Sequence, residues 1–334
     1  MSLDLTLGLQ RAAYPDFGQV HYLVDSDYRT AAQGWSRTDR TGPLDLYEAK
    51  KAGRGGTQYV FRTSDYTSDT VAAQAAVDAM VDFRGDVLFW SPGAYSLATV
   101  LTVNVPDARW LGRPIPYPTQ AGTQITAAVA AAINLTSAAD RMEVGFLKFI
   151  PLTTSHVFAI DDGADYLYFH DFFYNANGIA ADLGTQMVLA AGSMDNSAFN
   201  RFVFHTDAAQ GPLIELDGTV EALAIQNFLH FHQAGTLAVS LLDVVTGIGS
   251  TGIVVGPGHG QIGGSGIVTN LFDHGNMTAN ATNITIKEFT GSVGYSAAAT
   301  LSPAAGAAAE ADLVSSWIAT IGGGAGRAAY TNTA

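Results

Sequence analysis

The chain has no cysteine among its 334 residues, which excludes a disulfide framework, a thiolate metal site and a cysteine nucleophile. Charge is scarce as well: only 14% of residues are charged, and 16 basic side chains face 30 acidic ones, for a net charge of −14. Long apolar runs are missing. The longest, around Ile125 to Leu135, is Ala-rich, interrupted and too short to span a bilayer. The opening MSLDLTLGLQ lacks a basic stretch followed by an apolar one, so it does not read as a secretory signal. The expectation is a soluble protein made in the cytoplasm, with the Asn134, Asn276, Asn280 and Asn283 sequons as chance matches.

Basic residues are also unevenly placed. Eight basic and eight acidic residues share Met1 to Asp65, whereas five basic and seventeen acidic residues share Asp140 to the end. Most of the net charge therefore belongs to the second part. Such a surface repels nucleic acid, acidic membranes and polyuronates.

What is abundant is a repeat. Phe169-His-Asp-Phe172, Phe199-Asn-Arg-Phe202, Ile225-Gln-Asn-Phe228 and Ile286-Lys-Glu-Phe289 share one pattern, and their first positions lie 30, 26 and 61 residues apart. The last interval is close to two periods with one copy degraded. A fixed period of this size marks stacked units that bury their apolar faces against one another. The flanks are rich in Val, Ile, Phe, Tyr and Thr and punctuated by Gly, Asn and Asp, which reads as strands and turns. The interval suits the coil of a parallel β-solenoid better than an irregular β-sandwich, whose strands recur every 8–12 residues. With 48% hydrophobic residues, 36 glycines and a mean hydropathy of +0.16, the chain can bury a large core.

The strongest local signal precedes these repeats. Ser68-Asp-Thr-Val-Ala-Ala-Gln-Ala-Ala-Val-Asp-Ala-Met-Val81 reads as a helix over 68–82 with Ser68 or Asp69 as N-cap, followed by the strand Asp86 to Trp90 and the turn Ser91-Pro-Gly-Ala-Tyr95. This stretch, about Asp65 to Gly112, resembles the opening of right-handed parallel β-helix proteins of the pectate-lyase-like superfamily, in the form found in tailed-bacteriophage virion proteins. The resemblance implies a helix covering the open end of the solenoid, where an unpaired sheet edge invites aggregation. It is specific for fold and weak for function, because lyases, hydrolases, tailspikes and inert virion proteins share it. A second cap is expected at Ser302-Pro303, with Ala304 to Thr320 as an Ala-rich helix and Gly322 to Gly326 ending it.

The fold expected is thus all-β: a right-handed parallel β-helix with helical caps and an extended N-terminal arm. Residues 1–64 form the arm, 65–300 the β-helix and 301–334 the C-terminal helix and Gly-linked tail. Asp45 to Ala52 is the arm's one local helix. Tyr14, Phe17, Tyr22, Tyr28, Trp35, Arg37 and Arg40 in the arm, with Tyr330 in the tail, are the candidate partner-binding residues. The arm either lies along its own solenoid or docks on another chain, and the sequence leaves both open.

Catalytic candidates are weak. Asp161, Asp165 and Asp171 lie close together with His170 among them, and paired carboxylates can cut a neutral glycan or bind calcium. Asp161-Asp162-Gly163 also reads as an ordinary turn. His230-Phe-His232 places two imidazoles on one strand face, with His205 one coil away, but no third metal ligand stands at a telling spacing. GPGHGQIGGSG lacks a G-K-[ST], so it is no phosphate loop, and no G-x-S-x-G elbow occurs. The expectation is a non-enzymatic decoration or cement protein of a tailed-phage virion, bound to the major capsid protein or other virion proteins as a homotrimer. It has no cofactor or metal and does not bind nucleic acid or membrane. Outward aromatics such as Tyr166, Tyr168 and Tyr174 are the expected trimer contacts. The alternative is a glycan-degrading tailspike of the same fold.

Overall fold

The computed structural model describes residues 18–25, 58–113, 122–152, 156–176, 187–207, 211–218, 220–245, 252–262, 267–273, 285–286, 289–291, 319–321 and 326–328. Within them the chain is an all-β, parallel, solenoid-like stack, and the statements that follow are made of these residues.

Each circuit of the chain lays strands on three faces. Face 1 runs Val20–Val24, Val87–Trp90, Arg109–Leu111, Glu143–Gly145 and Tyr168–His170, then the first halves of Ala198–Thr206 and Ala224–His232, then Val254–Val255 and Thr285–Ile286. Face 2 runs Gly93–Leu97, Thr123–Ala127, Lys148–Pro151 and Phe173–Asn175, then the second halves of the same two long strands, then Gly258–Ile262 and Phe289–Gly291. Face 3 is a separate seven-stranded sheet from Leu101–Val103 to Ile267–Asp273. All these neighbours pair in parallel, so each residue meets its counterpart one circuit away, at the ~4.8 Å spacing of paired strands.

The repeated four-residue pattern is the bend between faces 1 and 2. Its third residue adopts a left-handed conformation, with φ 49° at Asp171, 54° at Arg201 and 54° at Asn227. That kink turns the strand so that both apolar residues of the pattern point inward. In the two long strands pairing continues across the bend, which is why faces 1 and 2 count as one sheet. The degraded copy is Val255-Gly-Pro-Gly258, with Val255 paired to Ile225 and Ile286, and Gly258 to Phe228 and Phe289. An earlier copy, Val144-Gly-Phe-Leu147, bends in the same way at Phe146, φ 60°. A second column of left-handed residues, Asp107, Arg141, Tyr166, Asn196 and Ala222, marks the entry to face 1.

The core is built from inward columns. Leu88, Trp110, Val144, Phe169, Phe199, Ile225 and Val255 form one, and all are at most 1% exposed. Equal spacing lets like side chains stack. Phe169 and Phe199 lie 4.7 Å apart with rings 1° from parallel, and Phe172 and Phe202 lie 4.7 Å apart at 4°. Such stacked pairs contribute about 0.5–1.5 kcal/mol beyond burial.

The helix Asp69–Asp78 starts at Ser68, whose Oγ accepts the N–H of Val71. Ala72, Ala73, Ala76 and Val77 join the core, and Gln74 binds the backbone of Thr102 through both its amide nitrogen and its oxygen.

Four expectations need correction. Val20–Val24 is a strand of face 1, paired with Gln58–Arg62 and Val87–Trp90, so part of the supposed arm belongs to the sheet. Tyr22 in that strand is 1% exposed and packs with Val20, Val24, Val87 and Phe89, so it is not a docking side chain. Alternation along the strands puts Tyr174 in the core and leaves Tyr168 only 8% exposed; Tyr166 alone of the three is open. Ala319–Ile321 is a strand paired with Phe289–Gly291 and antiparallel to Gly326–Ala328, where the C-terminal helix was expected to end. Most of that helix, and the one at Asp45 to Ala52, lie outside the described residues. So do Tyr14, Phe17, Tyr28, Trp35, Arg37, Arg40 and Tyr330.

Candidate functional site

The densest polar group sits on the outer side of face 1, at the bend. His170 lies between two carboxylates: Nε2 is 2.9 Å from Glu143 Oε1, and Nδ1 is 2.7 Å from Asp171 Oδ2. Each carboxylate also accepts from an arginine. Arg109 Nε donates to Glu143 Oε2 at 2.6 Å, and Arg201 donates to both oxygens of Asp171 at 2.9 and 2.7 Å. The array Arg109–Glu143–His170–Asp171–Arg201 therefore crosses four successive circuits. Register explains it, because Arg109 pairs with Glu143, and Glu143 with Tyr168, two residues before His170.

Burial decides what the array can do. Glu143 is 5% and His170 4% exposed, with the ring stacked on Tyr168 at 4.7 Å and edge-on to Phe146. A Cβ on Gly145 would lie 2.5 Å from the His170 ring, so the glycine makes room for the imidazole. Burial raises the Asp171 pKa, but the hydrogen bonds from Arg201 and His170 outweigh that and hold it below the usual carboxylate range. The ring is packed away from solvent, and the array ties circuits together.

Asp161 and Asp165 stand elsewhere. Asp165 is at the entry to face 1, where its Oδ1 accepts the N–H of Asp195, and Asp195 in turn accepts the N–H of Glu221. Asp161 ends a face 3 strand beside Asn134, and its neighbour Asp162 accepts the N–H of Ser193. Asp165, Asp195 and Asp162 each hold a backbone N–H of another circuit, Asp161 accepts from the side-chain amide of Asn134, and none of them converges with Asp171. Burial, followed by the charges of Asp165, Glu221 and Asp162, raises the Asp195 pKa despite its hydrogen bond from Glu221.

His230 and His232 do share an inward side, at 0% and 1% exposure. Their partner is Thr206, whose Oγ1 is 2.8 Å from His230 Nε2 and 3.0 Å from His232 Nδ1. His232 Nε2 donates to the carbonyl of Gly235 at 2.9 Å. One consistent chain runs from His230 N–H to Thr206 hydroxyl to His232 Nδ1. His205 sits on the opposite side of its strand, paired with Phe231, so it does not join them. Among the described residues no three potential ligands gather to hold a metal.

Glu143, Arg109, Arg201 and Thr206 were not picked out from the sequence. Their separations repeat the coil period, and only that offset could have found them. Comparison with protein-family models, with curated proteins and with solved structures finds no match for this chain.

Proposed function

We propose that this chain is a non-enzymatic structural protein of a tailed-phage virion, a decoration or cement protein on the major capsid shell, and that its fold is a right-handed parallel β-helix closed by helical caps. The observation that supports a structural role is the use made of its carboxylates. Asp165, Asp171, Asp162 and Glu143 each bind a group on another circuit, which turns polar residues into ties between coils. A rigid stack whose polar groups join its own layers suits a scaffold that must survive on a particle surface. The acidic charge turns it away from nucleic acid and acidic lipid, and a homotrimer bound to capsid protein is the assembly proposed.

A glycan-degrading tailspike is the competing reading, and His170 between two carboxylates is the observation in its favour. Two experiments separate them. Mass and partner analysis of purified particles should find the chain with capsid protein. A panel of neutral and acidic polysaccharides should stay uncut. Release of reducing ends or unsaturated sugars, lost in Asp171→Asn, would establish the enzyme instead.

A further inference from the structure

The chain contains two Asp–Gly steps, Asp162–Gly163 and Asp217–Gly218. An aspartate followed by glycine is open to spontaneous isomerisation, because no side chain on the glycine shields its peptide nitrogen. That nitrogen attacks the carboxyl carbon of the aspartate and closes a five-membered succinimide. The amide proton and the carboxyl OH leave together as water. Water then reopens the ring, and attack at the former main-chain carbonyl leaves the backbone running through the side chain as isoaspartate. No atom is gained or lost overall. Two conditions govern the first step: the carboxyl must be protonated, since an oxide ion does not leave, and the amide must release its proton.

Ser193, on the next circuit, engages both reacting groups of Asp162–Gly163. Its N–H donates to Asp162 Oδ1 at 2.7 Å, and its Oγ accepts the N–H of Gly163 at 3.2 Å. One residue therefore binds the nucleophile and the electrophile of the reaction at once. Hydrogen bonds from the Ser193 backbone and side chain also hold the Asp162 carboxyl below its ordinary range, so its reactive protonated form is scarcer. Gly192 lies against the same residue, and a Cβ there would be 2.2 Å from Asp162 Cβ. A main chain rerouted through that Cβ would press on Gly192. Asp162 is exposed, so burial does not protect it. Asp217 is exposed as well, and its carboxylate has no hydrogen bond among the described residues.

We propose that Asp162–Gly163 is an isomerisation site guarded by Ser193, and that isoaspartate forms there only when the turns of these two circuits separate. Local opening of this kind needs less free energy than unfolding the whole stack, and it frees the carboxyl and the amide together. Asp217–Gly218 is the comparison within the same molecule, with the same chemistry and no contact from Ser193. The modification needs only water, and it holds whatever the chain binds.

The test incubates the full chain folded at about pH 6, where a small share of carboxyls is protonated, and in parallel in concentrated urea. Peptide mapping by chromatography and mass spectrometry, with isoaspartyl methyltransferase labelling, reads each site separately. In urea the two sites should react alike. In the folded wild type Asp162 should react at least about tenfold more slowly than in urea. Ser193→Ala should raise the folded rate at Asp162 by about tenfold and leave Asp217 at its own rate. Ser193→Thr keeps both the N–H and the hydroxyl and should restore protection. A folded wild-type Asp162 that isomerises as fast as in urea overturns the proposal, as does a Ser193→Ala rate equal to wild type. An equal rise at both sites in Ser193→Ala would assign the protection to the fold as a whole and overturn the role of Ser193.

Discussion

The ring of Phe228 fills the place that a side chain on Gly258 would need: a Cβ there would lie 2.2 Å from Phe228 Cζ. Phe202 stacks on the other side of Phe228, at 5.6 Å and 20°. The degraded copy of the repeat is thus complementary to its neighbour, and its glycine is a packing requirement. Gly258→Ala should therefore destabilise by about 1–3 kcal/mol, the usual cost of overpacking. Urea denaturation measures it. Combining the change with Phe228→Leu should recover most of the loss, and a purely additive double mutant would contradict this account.

The parallel rings of Phe169 and Phe199 predict coupling. Either residue changed to Ala should cost about 3–5 kcal/mol. The double mutant should cost less than the sum by about 1 kcal/mol, since the stacked pair is lost only once. A cycle with no coupling energy would show that the two rings contribute by burial alone.

Asp86 anchors the N-terminal strand. Its Oδ1 accepts from Gln19 N–H at 2.8 Å and Arg84 Nε at 2.6 Å, while Oδ2 meets His21 Nε2 at 3.1 Å and Val81 N–H at 3.0 Å. Burial raises its pKa, but the bonds from Arg84, His21, Gln19 and Val81 outweigh burial and hold it well below the ordinary value. A carboxyl whose folded pKa is depressed stabilises above its unfolded pKa of about 4, and that contribution fades as pH falls below it. Asp86→Asn should cost about 3 kcal/mol at pH 7 and flatten the stability profile below about pH 4. Deleting residues 1–25 should likewise lower the melting temperature sharply, because it uncovers the edge of Val87–Trp90. Unchanged melting in that truncation would show that the strand is dispensable.

His230 predicts a second pH effect of the same direction. Burial, then the neighbouring His232 and His205, push its pKa well below the ordinary histidine value. The unfolded chain takes up a proton below about pH 6.5 that the folded chain refuses, so stability falls as pH drops through that value. His230→Phe keeps the flat contact with Phe204, now at 4.1 Å and 4°, and should remove the loss between about pH 6.5 and 5. Thermal melts across that range decide it; an unaltered profile would assign the effect to another group.

The repeat and the helix were legible before any coordinates. Phe169, Phe199 and Ile225 recur at a fixed interval because parallel stacking places each over the last, so the period is written in the chain. The helix after Ser68 was legible because its cap and small apolar face are local. Tyr22 and Tyr174 were misread because aromatic content does not tell which side of a strand faces the core. One residue of register separates the two sides.

The site was less legible, for a reason of the same kind. His170 and Asp171 are adjacent in sequence, but Glu143, Arg201 and Arg109 reach them only across circuits, 27, 31 and 61 residues away from His170. The amino-acid sequence by itself determined the period, the helix after Ser68 and the charge imbalance, because these depend on local spacing and composition. Only the tertiary structure decided that the Asp165 and Asp171 carboxylates part company, and that Lys148 is buried with no carboxylate paired to it among the described residues. Those outcomes depend on which residue each circuit lays over its neighbour, and loop lengths between circuits set that register.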